Sequence, residues 1–260
     1  MRRAAVLLAA APLLLAACGG GSSSTKQVQL TPVAYVKQAA QKSAQAKSEH
    51  VELKATATVQ GSPFSLNGAG DFDNSDKRGA MTVHANVQGL DVEIDEVLDG
   101  TIVYMKSPLF AAALPAGKTW LKLDLAKVGK SQGIDLSQLM GQDPAQSFAQ
   151  LQASGQVTKV GDETIDGVDT THYRGRIDLS KLPQGAKVAA LAHAKYGPYD
   201  VWIGKDDGYV RRVRSSYTLQ QQSIGLTMNF SDFGKDVSVN VPAAAETADA
   251  TSQSIQGLGG

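Results

Sequence analysis

Val51, Leu53, Ala55, Ala57 and Val59 alternate with Glu52, Lys54, Thr56 and Thr58. A period of two marks a strand that buries one face. The alternation returns in Phe64, Leu66, Gly68, Gly70 and Phe72, then in Met81, Val83, Ala85 and Val87, and after Gly89 in Leu90, Val92 and Ile94. Gly, Pro, Asn and Asp separate these runs, and strands so close in the chain pair as an antiparallel meander. Thr101–Met105 and Lys118–Asp124 extend it. Strands resume at Gln156–Asp162, Val168–Leu179, Pro198–Gly204, Tyr209–Leu219 and Ile224–Phe233, with Lys205-Asp206-Asp207-Gly208 as a hairpin turn.

Other segments keep helical spacing. Thr31-Pro32 reads as a cap followed by proline at the first helical position, and Val33, Val36, Ala40 and Ala44 predict a helix from Pro32 to about Lys47. Further helices are expected at Asp135–Met140, at Pro144–Ala153 behind the cap Asp143, and at about Gln184–Lys195. About eleven strands in one flat sheet would curl, and helices can fill the concave side. The pattern therefore predicts an α+β class: a curled, mostly antiparallel β-sheet with a few helices on its concave side. A two-layer sandwich has no natural place for the helices at 135–153 and 184–195.

The ends set the domain plan. Met1-Arg2-Arg3 precedes the apolar stretch Ala4–Ala17, which suits a signal peptide and is too short for a bilayer span of roughly 20 residues. It closes on Leu15-Ala16-Ala17-Cys18, the pattern of a bacterial lipobox, so Cys18 is the expected lipidation site. Residues 1–17 are thus expected as signal peptide, 18–31 as lipidated cysteine and Gly/Ser leash, 32–242 as the folded domain, and 243–260 as a mobile tail. The expected location is the extracytoplasmic side of a cell membrane, held by the Cys18 anchor.

Composition narrows the chemistry. Cys18 is the one cysteine, which excludes a disulfide framework and a multi-thiolate metal site. Without Arg2 and Arg3, 23 basic residues face 25 acidic ones, a net charge of −2 that gives no argument for nucleic acid. No H-E-x-x-H, P-loop or G-x-G-x-x-G occurs, so neither catalysis nor a cofactor is expected. His50, His84, His172 and His193 lie far apart, three of them at outward positions on strands. Asp71, Asp73, Ser75 and Asp76 superficially follow a calcium loop but lack its central glycine and its closing glutamate, Thr82 standing there instead. Asp91, Glu93 and Asp95 read as a water-facing strand face. Arg212 and Arg214 share one face, which suits a strand edge, a partner, or an anionic headgroup if that face borders a cavity mouth.

Ser107-Pro108-Leu109-Phe110-Ala111-Ala112-Ala113-Leu114-Pro115 is an apolar connection. It either plugs a sheet end or borders a greasy opening. Small side chains at Ala189, Ala190 and Ala192 leave room between helix and sheet. The lipobox, Val160-Gly161-Asp162-Glu163-Thr164-Ile165-Asp166-Gly167-Val168, Thr171-His172-Tyr173-Arg174-Gly175, Tyr199-Asp200-Val201-Trp202-Ile203-Gly204 and Asn229-Phe230-Ser231-Asp232-Phe233-Gly234 together resemble the LolA-like bacterial lipoproteins of the LppX/LprG type. That resemblance implies a half-open, strongly curved antiparallel β-sheet wrapped around a few helices and enclosing an apolar cavity for the acyl chains of a lipid or glycolipid, carried or presented in the cell envelope, with a membrane transporter or envelope protein as a further partner. The candidate lining is Val51, Leu53, Val83, Val87, Val92, Ile94, Val103, Met105, Phe110, Leu139, Leu151, Leu191 and Trp202. The competing reading is a tethered protein-interaction module that regulates a membrane partner and has no ligand cavity.

Overall fold

The computed structural model describes residues 30–59, 62–87, 89–131, 157–178, 196–219 and 222–252. Cys18 and the helices expected at 135–140, 144–153 and 184–195 lie outside them. Helix α1 (Pro32–Ala44) leads into β1 (Ser48–Val59), β2 (Ser62–Asp73), β3 (Arg78–Val87), β4 (Leu90–Asp99), β5 (Ile102–Lys106) and β6 (Trp120–Asp124). A short helix, α2 (Leu125–Ser131), follows. The chain continues through β7 (Thr158–Ile165), β8 (Val168–Asp178), β9 (Tyr196–Gly204), β10 (Val210–Leu219), β11 (Gln222–Ser231) and β12 (Thr247–Asp249).

The twelve strands of the described residues form one sheet in the order β12-β6-β5-β4-β3-β2-β1-β11-β10-β9-β8-β7. The two meanders, β1–β6 and β7–β11, join where β1 pairs with β11. Every pairing is antiparallel except β12 against β6. The edges β12 and β7 do not meet, so the curved sheet stays open, as the resemblance implied, with one strand more than the alternation predicted.

The extra strand corrects the expectation of a mobile tail from residue 243. Thr247, Ala248 and Asp249 pair with Trp120, Leu121 and Lys122. Lys118 Nζ donates to the carbonyls of Ala244 and Ala245, and Asp124 N donates to Thr251 Oγ1 at 3.0 Å. The tail thus satisfies the otherwise open backbone of β6.

Thr31 caps α1 as predicted, its hydroxyl accepting from Ala34 N at 3.3 Å with Pro32 at the first position. The helix ends at Ala44 and not near Lys47, because the next carbonyls are already committed: Ala46 O accepts from Asn74 Nδ2 and Lys47 O from Asn74 N. Val36 and Ala39 of α1 pack on Tyr173, Tyr199, Val201, Ile203 and Val210, the main buried core. Helix α2 was not foreseen; Asp124 starts it by accepting from Lys127 N.

Gly175 is required by close approach. The Tyr199 ring lies over it, and a Cβ there would stand 2.5 Å from Tyr199 Cζ. A glycine beneath an aromatic ring lets adjacent strands bury the ring flat against the backbone.

Candidate functional site

Pairing registers assign each residue to a face, since directly opposed residues in a sheet point the same way. The face that meets α1 is the inner one. Across it run Phe230, Val51, Gly70, Met81, Glu96, Met105 and Leu121 in one line of direct partners. The next line is Met228, Leu53, Gly68, Val83 and Ile94, and the next Leu226, Ala55, Leu66, Ala85 and Val92. Glu96 apart, these positions are apolar or glycine.

The centre of this wall is buried, with Val51, Val83, Ala85 and Val92 each at most 9% exposed. Toward the end that carries the β3–β4 turn it opens, and Leu90 is 59% exposed. Gly68, Gly70, Ala55 and Ala85 keep its floor low between the taller Leu53, Leu66 and Met81. Helix α1 covers the β9–β10 part, so the β1–β5 part extends beyond its packing.

Most of the expected lining is on this wall. Val51, Leu53, Val83, Val92, Ile94, Val103 and Met105 face inward by register. Val87 holds the corresponding register position opposite Phe64 and Leu90. Leu139, Leu151 and Leu191 lie outside the described residues. Phe110 sits apart, in a 3-10 helix at Pro108–Ala113. That turn is tethered by Ser107, whose hydroxyl donates to Glu93 O at 2.7 Å, and Leu109 beside it is 56% exposed. The apolar connection therefore stays at the sheet end, with Ser107 buried and none of Pro108–Ala113 buried.

Trp202 is the correction. It pairs with His172 and Arg212 and stands on the outer face, opposite Val201 and Ile203. It is 3% exposed because a polar network covers it. His172 stacks on its ring with centroids 4.2 Å apart, and the guanidinium of Arg214 lies 5.2 Å from the ring centre. Trp202 Nε1 donates to Glu163 Oε2 at 2.9 Å. His172 Nδ1 is 2.8 Å from Glu163 Oε1 and Nε2 is 2.7 Å from Asp200 Oδ1. Arg174 reaches the same Asp200 oxygen at 2.8 Å, and Arg212 donates to Asn229 Oδ1 at 2.6 Å.

The carboxylates of this network titrate low. The hydrogen bond from Trp202 holds Glu163 below its ordinary range against its desolvation, and His172 adds to it. For Asp200 burial pushes upward, but hydrogen bonds from Arg174 and His172 and their charges outweigh it and the carboxyl ends lowered. Arg212 and Arg214 thus serve this outer cover and do not border the inner wall. Sequence patterning missed the cluster because Val201, Trp202 and Ile203 form a continuous apolar run, in which a period of two selects no face.

The remaining candidates settle simply. Asp73 Oδ1 accepts from Ser75 N and Asp76 N, closing the β2–β3 turn. Among the described residues no group of three or more His, Cys, Asp or Glu side chains is placed to hold a metal ion. No described helix is long and apolar enough to cross a membrane. A half-open depression of about 240 Å³, lined by Thr56, Thr58, Pro63, Ser65, Asn86 and Ser223 with Ala57 and Phe64, lies by the β1–β2 turn and is mixed in polarity.

Residues 31–239 match the family described as LppX_LprAFG lipoprotein. The chain is 30% identical over 245 residues to an uncharacterized 31.2 kDa protein of the rplA–rplJ intergenic region of Streptomyces griseus, covering 84% of this chain and 79% of that one. Among solved structures it is similar to the lipoprotein LppX of Mycobacterium tuberculosis, with TM-score 0.52 and 19% identity over 80% of this chain and 98% of that one. It is also similar to LprF of Mycobacterium bovis, with TM-score 0.54 and 17% identity over 82% and 97%. At these identities the two structures establish the fold.

Proposed function

The chain belongs to the LppX_LprAFG lipoprotein family, and from that premise we propose that it is a tethered envelope lipoprotein that shields the acyl chains of a lipid or glycolipid against the inner wall of its sheet. The observation that carries the reading is the continuity of that wall: from β11 through β1, β2 and β3 into β4 the inward positions are apolar or glycine across two successive lines of direct partners, Met228 to Ile94 and Leu226 to Val92. Such a surface is buried at its centre and exposed at one end, which suits a chain entering lengthwise. At about 0.8 kcal/mol per buried methylene, a sixteen-carbon chain gains on the order of 12 kcal/mol gross. That gross gain has to outweigh association and the cost of leaving a bilayer.

In this reading Cys18 carries the lipid anchor and the Gly/Ser run after it gives reach, so the domain works beside the membrane that supplies its cargo. The described fold offers no assembled nucleophile and base, and the task assigned to it is carriage or presentation without bond chemistry.

Native mass spectrometry of the Cys18→Ala protein, purified without detergent from a lipid-producing host and then extracted with organic solvent, tests this. A discrete adduct that extracts as acyl lipid is expected. A clean protein mass that persists after incubation with lipid vesicles overturns the carrier reading and favours a tethered interaction module.

A further inference from the structure

Strand β4 obeys its alternation at every position but two. Leu90, Val92, Ile94 and Leu98 take inward positions and Asp91, Glu93, Asp95 and Asp99 outward ones, while Glu96 and Val97 are exchanged. No slip explains the exchange: β3 and β4 pair without interruption from Val87↔Leu90 to Arg78↔Asp99. Glu96 therefore stands on the inner wall between Met81 and Met105, with Ile94 and Leu98 along its own strand. Val97 is 7% exposed on the outer face, where Ala80 and Tyr104 flank it.

A second inward glutamate shows how the fold treats such a group when it is structural. Glu49, opposite Phe72, has the Asn74 side chain as hydrogen-bond partner. Glu96 has no hydrogen-bond or ion-pair partner among the described residues, and desolvation alone raises its pKa. A half-buried carboxyl without a partner costs stability. The fold gains nothing from it that leucine would not supply better.

We propose that Glu96 is a specificity-determining residue that accepts a hydrogen bond from a hydroxyl of the bound lipid, selecting hydroxyl-bearing acyl lipids over capped ones and disfavouring anionic headgroups beside it. The inference rests on the carrier reading above. A carboxyl on an apolar wall repels phosphate, ignores alkyl chain, and is satisfied by O–H. The hydroxyl can belong to a glycerol or to a sugar, and both present the same donor.

The test offers the full-length Cys18→Ala protein 1,2-dioleoylglycerol, its 3-O-methyl ether and monoglucosyl dioleoylglycerol from vesicles, and reads occupancy by native mass spectrometry. The native side chain is expected to prefer dioleoylglycerol to the ether by about tenfold or more, the worth of a hydrogen bond to a carboxylate out of water. In Glu96→Leu the preference is expected to vanish while the ether binds at least as well, and the unfolding midpoint is expected to rise. Glu96→Gln, which keeps size and an acceptor oxygen, is expected to retain part of the preference and guards against a misfolded leucine variant. Binding of the glucosyl lipid tighter than dioleoylglycerol assigns the donor to a sugar, and equal or weaker binding assigns it to glycerol. Equal binding of dioleoylglycerol and ether by the native protein overturns the role of Glu96 and leaves the carrier reading standing. Binding of none of the three, in a protein also free of host lipid, overturns both.

Discussion

His172 and Trp202 stack across β8 and β9 with their planes 14° from parallel, on the side of the sheet away from the apolar wall. Both are 3% exposed, so the outer face has its own small core, built from rings, carboxylates and guanidinium groups. The two ring nitrogens of His172 each stand within hydrogen-bond distance of a carboxylate oxygen, Nδ1 at Glu163 and Nε2 at Asp200. Replacing His172 by leucine is expected to cost roughly 2–4 kcal/mol, because it strips Glu163 and Asp200 of a shared donor. Urea unfolding measures this, and a loss under about 0.5 kcal/mol would contradict the network's structural role.

The same carboxylates set a pH dependence. Glu163 and Asp200 are held below their ordinary range in the folded protein. The unfolded chain therefore binds protons first as pH falls, so their contribution is complete above the ordinary carboxylate range and is lost as pH drops through the folded values. Trp202 fluorescence, read in a Trp120→Phe background, is expected to stay flat from pH 7 to about 5 and to change only below roughly pH 4. A transition between pH 5 and 7 would show that another group controls the site.

Much of this fold is legible in the sequence because one physical rule, alternation against a single buried face, acts on nearly every strand. Val51 through Ala57 could be assigned to a wall before any pairing was known. Trp202 could not, since an apolar triplet leaves its face to the neighbours, and those neighbours, Glu163 and Asp200, are 39 and 2 residues away in the chain. Strand β12 was invisible for another reason: Thr247, Ala248 and Asp249 have no pattern of their own, and the open edge of β6 recruits them. Glu96 breaks the rhythm of β4, but its place on the inner wall needed the register to show that no bulge intervenes.

The recruited edge yields its own expectation. Asp249 is held at about 2 by hydrogen bonds from the Thr251 side chain and backbone and by Lys122. Deleting residues 243–260 is expected to speed amide exchange in β6 and to promote association through the uncovered edge. Hydrogen exchange and light scattering follow both, and unchanged exchange at Leu121 and Leu123 would show that β12 does not protect β6.

Glycine placement supplies a matched pair. Gly175→Ala drives a methyl into the Tyr199 ring, whereas a Cβ at Gly161 meets nothing within 4 Å. Overpacking of this kind costs about 1–3 kcal/mol, and an alanine in open space is near neutral. Thermal unfolding is expected to separate the two by several degrees. Similar midpoints would mean that Tyr199 moves aside freely and that the close approach is not holding β8 against β9.

The carrier reading meets its strictest check in two adjacent residues of β4. Val92 faces the inner wall opposite Ala85 and is 9% exposed, while Glu93 faces outward opposite His84 and is exposed. Tryptophan at residue 92 fills the low floor made by Ala85 and its small neighbours, and tryptophan at residue 93 adds similar bulk to the same strand on the solvent side. If acyl chains lie along the wall, Val92→Trp should lose lipid occupancy by tenfold or more and Glu93→Trp should keep it, both retaining the β-sheet circular dichroism of the native protein. Equal occupancy in the two folded variants would place the lipid elsewhere on the molecule. Because the two substitutions introduce the same side chain on the same strand, face is the main variable that separates them, and face is what the register of β3 and β4 determines.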